Sequence, residues 1–440
     1  MQVRRDFLQT QVVLFVAMHA AHLEEMLPFR LLGGQLGRSM AAARFKRNDN
    51  DTGEKTRHRN CEAPEPFVHV CNANTFQHLR LSYPILPALP GYPIMRAAGA
   101  DRDDARPLRS VLRYAGGMIL PTLSEIEEAQ SVVYRQMPPT PQYSWPLINQ
   151  RLGTEAWIKH ENHTPVGAFK LRGALVYLEW LKRTQPDLAG VVAATRGNHG
   201  QGVGMAARLF GLKAVIVVPH GNSHEKNCAM QSQGVELIEH GNDFQESLEF
   251  ARELAKERSF AMVDSFHERL VMGTATYALE FFKVAPPLDV VFVPIGLGSS
   301  ICGAAAARNA LGLTTEIVGV VAAASPSYAL SFSQRIIVEA PATTRIADGL
   351  ACRIPNAFAM EIIWKNVSRI VEVSENEIVA AMRAYYQDTH NVAEGAAASA
   401  LAATIKERSN LKGLRVGIVF SGGNVDASVF AQVLSGGFTS

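Results

Sequence analysis

The sequence predicts an α/β protein built on parallel sheet, and three observations predict it. Short apolar runs of strand length recur from residue 190 onward. Helix-length segments with apolar residues at helical spacing separate most of them, as in Phe244 to Arg258. Several of the runs end directly in small polar or glycine-rich turns, the punctuation of β-then-α units with helices on both sheet faces.

In chain order, the strand-like runs are Gly190 to Thr195, Lys213 to Pro219, Val235 to His240 and Phe260 to Phe266. Asp289 to Ile295, Glu316 to Ala323 and Arg415 to Phe420 complete them. Residues 1–117 read differently. They hold a polar, charged run at Lys46 to Asn60 and four prolines within residues 84 to 93, which suits neither a packed helix nor a central strand. Met118-Ile-Leu-Pro-Thr-Leu-Ser-Glu makes a natural chain start, so residues 1–117 are expected to be a dispensable extension, with the functional region at 118–440.

Composition narrows the function class. A formal net charge of +2 over 440 residues gives no field suited to nucleic acid. No run approaches the roughly 20 consecutive apolar residues of a membrane span. Arg4-Arg5 precedes an apolar stretch as in a twin-arginine signal, but the stretch is short and His19 and His22 follow it, so export is not expected. Cys61, Cys71, Cys228, Cys302 and Cys352 are few, scattered and odd in number, which fits a reducing compartment better than a disulfide framework.

Four motifs carry candidate chemistry, and each has an ordinary structural reading beside it. Lys170, in Gly167-Ala168-Phe169-Lys170-Leu171-Arg172-Gly173-Ala174, is either a half-buried lysine covering apolar surface or an amine poised for Schiff-base chemistry. Thr195-Arg196-Gly197-Asn198-His199-Gly200-Gln201-Gly202 is a glycine-rich turn or a helix N-terminus that receives an anion. Gly296-Leu297-Gly298-Ser299-Ser300 is a phosphate cradle or a nicotinamide-dinucleotide turn, although its spacing departs from G-x-G-x-x-G. Ser421, in Ser421-Gly422-Gly423-Asn424-Val425-Asp426, caps the next element or bonds a ring nitrogen.

Taken in order with Lys159-His160-Glu161-Asn162, these motifs resemble the threonine/serine dehydratase family of fold-type II pyridoxal-phosphate enzymes. The resemblance covers about Thr122 to Val433. It implies a tryptophan synthase β-like fold: two open parallel-sheet α/β domains with pyridoxal 5'-phosphate between them. The large domain would take about 118–189 plus 268–440 and the small one about 190–267. By resemblance Lys170 carries the cofactor as an imine, with Phe169 beside the pyridine ring, and Asn198 bonds the phenolic oxygen. Gly296, Leu297, Gly298, Ser299 and Ser300 would wrap the phosphate, and Ser421 would face the pyridine nitrogen. Glu394 matches a family acid near the cofactor, and the Arg196, Gly197, Asn198 and His199 segment would receive the substrate carboxylate.

The implied activity is dehydration and deamination of L-threonine, and L-serine with it, to a 2-oxo acid and ammonia, in a cytoplasmic homodimer. Three departures qualify this. Arg196 stands where relatives place alanine or serine; a guanidinium cannot act as a base at neutral pH, which argues against racemisation. It either pairs with a nearby carboxylate or grips a second anionic group, as 3-hydroxyaspartate would present. Val321-Ala322-Ala323-Ala324-Ser325 lacks the carboxylate that a hard cation needs, so no metal is expected there, and Asp348 in Ala347-Asp348-Gly349 reads as structural. The chain ends soon after Asp426, leaving no expected place for a C-terminal regulatory domain. The alternatives are a β-replacement enzyme of the same fold, a non-catalytic cofactor carrier and a nicotinamide oxidoreductase.

Overall fold

Local signals set the elements that the computed structural model describes over residues 118–438; the expectation for residues 1–117 lies outside the described residues. Thr122 opens α1 (Leu123–Tyr134) with a capping box, its N–H donating to Glu125 Oε2 at 2.8 Å. After β1 (Gln142–Tyr143), α2 (Pro146–Leu152) begins on proline and ends at Gly153 in the left-handed region. The chain continues through β2 (Ala156–His160), α3 (Lys170–Thr184), β3 (Gly190–Ala194), α4 (Asn198–Leu209), β4 (Lys213–Val218) and α5 (His224–Gln231). Next come β5 (Glu236–Glu239), α6 (Phe244–Glu257), β6 (Ala261–Met262), α7 (Glu268–Val284), β7 (Val290–Pro294), α8 (Ser299–Ala310) and β8 (Glu316–Ala322). The last elements are α9 (Ser327–Gln334), α10 (Ala357–Asn366), β9 (Arg369–Val373), α11 (Glu375–Thr389), α12 (Gly395–Lys406), β10 (Val416–Phe420) and α13 (Ala427–Ser435).

All seven expected strands form. The Phe260 to Phe266 run pairs only at β6, because Asp264, Ser265 and Phe266 leave the sheet to line a cleft. Strands β1, β2 and β9 form in addition to them. One sheet has the order β1-β2-β10-β7-β8-β9, parallel except for the β1–β2 pair. The other has the order β5-β4-β3-β6 and is wholly parallel.

Both sheets are covered on both faces. Along β7, Val290 and Phe292 join one core while Val291 and Val293 join the opposite one. Along β3, Val191 and Ala193 face one way and Val192 and Ala194 the other. This two-sided burial explains why the strands are continuous apolar runs rather than alternating ones.

Two features fix the start of α3. Its backbone meets α7 so closely that a Cβ on Gly273 would lie 2.4 Å from the Arg172 carbonyl oxygen. Beneath it sits a buried ionic cluster. Arg172 donates to Glu161 Oε2 at 2.7 Å and to Glu280 Oε1 at 2.6 Å, and Lys159 Nζ donates to Glu280 Oε2 at 2.6 Å. Two cations and two carboxylates balance in a site without solvent, an arrangement that tolerates the loss of none of them. Lys159, Glu161 and Arg172 of the sequence motifs are thus accounted for by packing.

Candidate active site

Strands β3, β7 and β10 point their C-terminal ends at one cleft of about 2010 Å³. Such crevices are where parallel sheets place ligands, because the loops there diverge to opposite faces. Every candidate residue named from the sequence lines this cleft, although they span 252 positions from Phe169 to Ser421 (421 − 169).

Lys170 is the first residue of α3, and backbone bonds hold the loop before it against the turn after β10. The Phe169 N–H donates to the Ser421 carbonyl at 3.0 Å and the Gly423 N–H to the Gly167 carbonyl at 2.9 Å. The Asn424 amide donates to the Val166 carbonyl at 2.9 Å. Lys170 Nζ lies 3.4 Å from Ser299 Oγ and 5.1 Å from the Phe169 ring centroid. Burial pushes its ammonium down to about 8, opposed by the Glu394 carboxylate. The Ser421 side chain is buried, and its hydroxyl has no hydrogen-bond partner among the described residues.

The second wall comes from the β3–α4 turn. Helix α4 starts at Asn198, so the first N–H groups of the helix have no partner within it. His199 is buried, with Nε2 facing the Val263 carbonyl at 3.4 Å. Burial and the Lys170 charge depress its pKa to about 3, so the ring stays neutral. Arg196 is exposed, lines the cleft and has no ion-pair or hydrogen-bond partner among the described residues. The expected alternative of a neighbouring carboxylate partner is therefore not what the structure shows.

Opposite lies the start of α8. Gly298 adopts φ +94°, where a side chain is strained, and a Cβ there would approach Ala359 Cβ to 2.7 Å. Ser299 and Ser300 follow, both buried, with Ser300 Oγ 2.8 Å from Tyr277 Oη. This is a helix N-terminus with two hydroxyls and close backbone, a suitable anion cradle.

The remaining wall holds a polar group the motifs only partly revealed. Asn198 Nδ2 donates to both Glu394 oxygens at 2.9 Å, while its Oδ1 accepts from Asn424 at 2.8 Å. Glu394 is buried, and desolvation raises its pKa to about 7; Lys226 opposes the rise and Asp348 adds to it. Lys226 Nζ donates to Asp348 Oδ2 at 2.5 Å. Lys226 was missed from the sequence, and Asp348, read as structural, lines the cleft beside it. The turn signal at Ser223, which caps α5, locates that helix without marking Lys226 as part of the site.

The chain is similar to known proteins in sequence and in fold. Residues 133–422 match the family model described as pyridoxal-phosphate dependent enzyme. The chain is 32% identical to the L-threo-3-hydroxyaspartate ammonia-lyase of Saccharomyces cerevisiae, over 72% of this chain and 98% of that one. It is 32% identical to the L-threonine ammonia-lyase of Thermotoga maritima, over 72% and 79% respectively. The processed form of threonine deaminase isoform 2 from Solanum lycopersicum superposes with a TM-score of 0.66 at 26% identity, covering 72% of this chain and 96% of that one. The chain belongs to the pyridoxal-phosphate-dependent enzymes of fold type II, in the threonine/serine dehydratase family, and is a lyase that carries out elimination on amino acids.

Proposed function

We propose that the protein removes water and then ammonia from a small β-hydroxy amino acid, with L-threonine as substrate and L-serine beside it. The observation that carries this reading is the meeting of Lys170, the α8 cradle and the partnerless Ser421 hydroxyl in one cleft. Pyridoxal phosphate presents a carbonyl, a phosphate and a ring nitrogen, and these three features fit it: an amine, an anion cradle and a hydroxyl. Phe169 would lie beside the ring, and Asn198 would meet the phenolic oxygen. When bound, the cofactor supplies the electron sink for charge that develops at Cα.

The protein's own groups do the rest. Burial holds the Lys170 ammonium down to about 8, which brings the neutral amine, the form that acts as nucleophile and then as base on the Cα proton, within reach near neutral pH. The opening N–H groups of α4, from Asn198 on, receive the substrate carboxylate, and neutral His199 adds no competing charge. Ser421 is neutral too, so it would hold a ring nitrogen without giving it a proton, which would favour quick loss of the β-hydroxyl. The departing hydroxyl takes up one proton, the equivalent of the one that Lys170 removes from Cα, and leaves as water. Water then hydrolyses the released enamine, through its imine, to a 2-oxo acid and ammonia.

Arg196 favours a second reading. A cation in the cleft with no carboxylate partner suits a substrate with a further carboxylate on its β-carbon, as in 3-hydroxyaspartate. The test of the main reading is product analysis with cofactor-loaded protein and L-threonine. Equal amounts of 2-oxobutanoate and ammonia are expected; the absence of both from L-threonine and L-serine alike would overturn it.

A further inference from the structure

A second, smaller cavity of about 300 Å³ adjoins the main cleft, and the two share a wall. Four side chains belong to both: Arg196, Lys226, Asp348 and Glu394. We propose that Glu394 is a proton relay, passing protons between Lys170 in the cleft and water in this side cavity.

The geometry places Glu394 for that task. It is the N-cap residue of α12, and its N–H donates to the Gly422 carbonyl at 3.2 Å, in the turn that carries Ser421. Its carboxylate is clamped by the Asn198 amide, so it cannot swing away. A Cβ on Gly422 would lie 2.7 Å from Glu394 Oε1, so the turn leaves room for the carboxylate and no more. The charged groups around it come from several elements. Lys170 on α3, Lys226 on α5 and Asp348 in the turn before α10 act on its charge. Arg196, Arg345, His220 and Asp426 line the cavity beyond. Burial, together with these opposed charges, brings the carboxyl to about 7, where it both takes and gives a proton near neutral pH.

The reaction needs such a group, and this inference rests on the lyase reading above. In each turnover the Cα–H bond breaks and Lys170 gains that proton, while the C–O bond breaks and the oxygen leaves as water with a proton of its own. Lys170 must shed its proton before it can re-engage the cofactor. The proton that it takes from Cα passes to Glu394 and on to the side cavity, and solvent supplies the equal proton that leaves with the oxygen as water, with no change of oxidation state.

The test uses the cofactor-loaded full chain. E394Q should cut kcat by about 100-fold and remove the rise of rate with pH centred near 7. E394A should recover at least about tenfold in formate buffer, since a small acid can replace the relay but not a structural prop. V429W fills the side cavity from a residue that lines only that cavity, and it should lower kcat while KM holds. A readout independent of turnover is the cofactor absorbance. Removing the Glu394 charge should lower the pH midpoint of the Lys170-linked transition, because that carboxylate favours the protonated amine. An unchanged midpoint and pH profile in folded E394Q, or E394A indifferent to formate, would overturn the proposal. Wild-type protein that makes no 2-oxo acid would instead overturn the lyase reading, and the absorbance titration would still report on Glu394.

Discussion

Arg172 and Glu280 form a two-pronged ion pair, Nη1 to Oε1 at 2.6 Å and Nη2 to Oε2 at 2.8 Å, two residues along α3 from Lys170. Glu161 and Lys159 complete the cluster, and all four side chains are buried. Removing one partner strands a charge where water cannot reach it. E280Q should therefore destabilise the protein by about 3–5 kcal/mol in denaturant unfolding, far more than a surface pair would. A loss under about 1 kcal/mol would mean that the cluster is solvated in solution.

Stability should fall on mild acidification, and two histidines give the window. His160 accepts the Trp145 indole N–H on Nε2 at 3.0 Å, and burial lowers its pKa to about 3, as it does for His199. A histidine whose folded pKa lies below its unfolded value contributes stability above about 6.5 and loses it as pH falls toward 3. Each should contribute a slope of about 1.4 kcal/mol per pH unit in that range. Unfolding free energies of H160Q measured between pH 7 and 5 should show a slope lower by about one proton.

The cradle at α8 makes a prediction about cofactor affinity. G298A would place a methyl group against Ala359 on a backbone at φ +94°. Strain of about 1–3 kcal/mol should appear as about 5–150-fold weaker pyridoxal phosphate binding in fluorescence titration. Unchanged affinity would remove this loop from the phosphate site.

Arg196 sets the relative preference for anionic substrates under the second reading of the site. R196A should lower the ratio of kcat/KM for 3-hydroxyaspartate over L-threonine by about 10–100-fold, the scale of one charge-assisted contact. R196K should recover part of it, as a point charge without the planar fork. A ratio that stays constant across the three proteins would leave Arg196 a solvated surface residue.

Much of this architecture can be read from the sequence, because doubly covered parallel strands are uninterrupted apolar runs. Strands β3, β4 and β7 stand out for that reason. Strand β2 escapes the same reading because it carries Lys159 and His160, which look like surface residues until their partners are known. Those partners, Glu280 and Trp145, are 121 and 15 residues away in sequence. Strand β9 ends at the Ser374 and Glu377 capping box, a local signal available in the sequence. In the site, Lys170, Asn198, Ser299 and Ser421 sit in compact motifs at strand ends. The Lys226–Asp348 pair joins residues 122 apart that share no motif, so only the fold brings it into view.

Lys170, rather than any other amine in the cleft, is the residue proposed to hold the cofactor. Borohydride reduction of the loaded protein followed by peptide mass spectrometry decides this. A single reduced adduct is expected on the peptide containing Lys170. An adduct on Lys226, the other lysine among the described residues that line the cleft, or no adduct in protein that shows cofactor absorbance, would place the cofactor elsewhere.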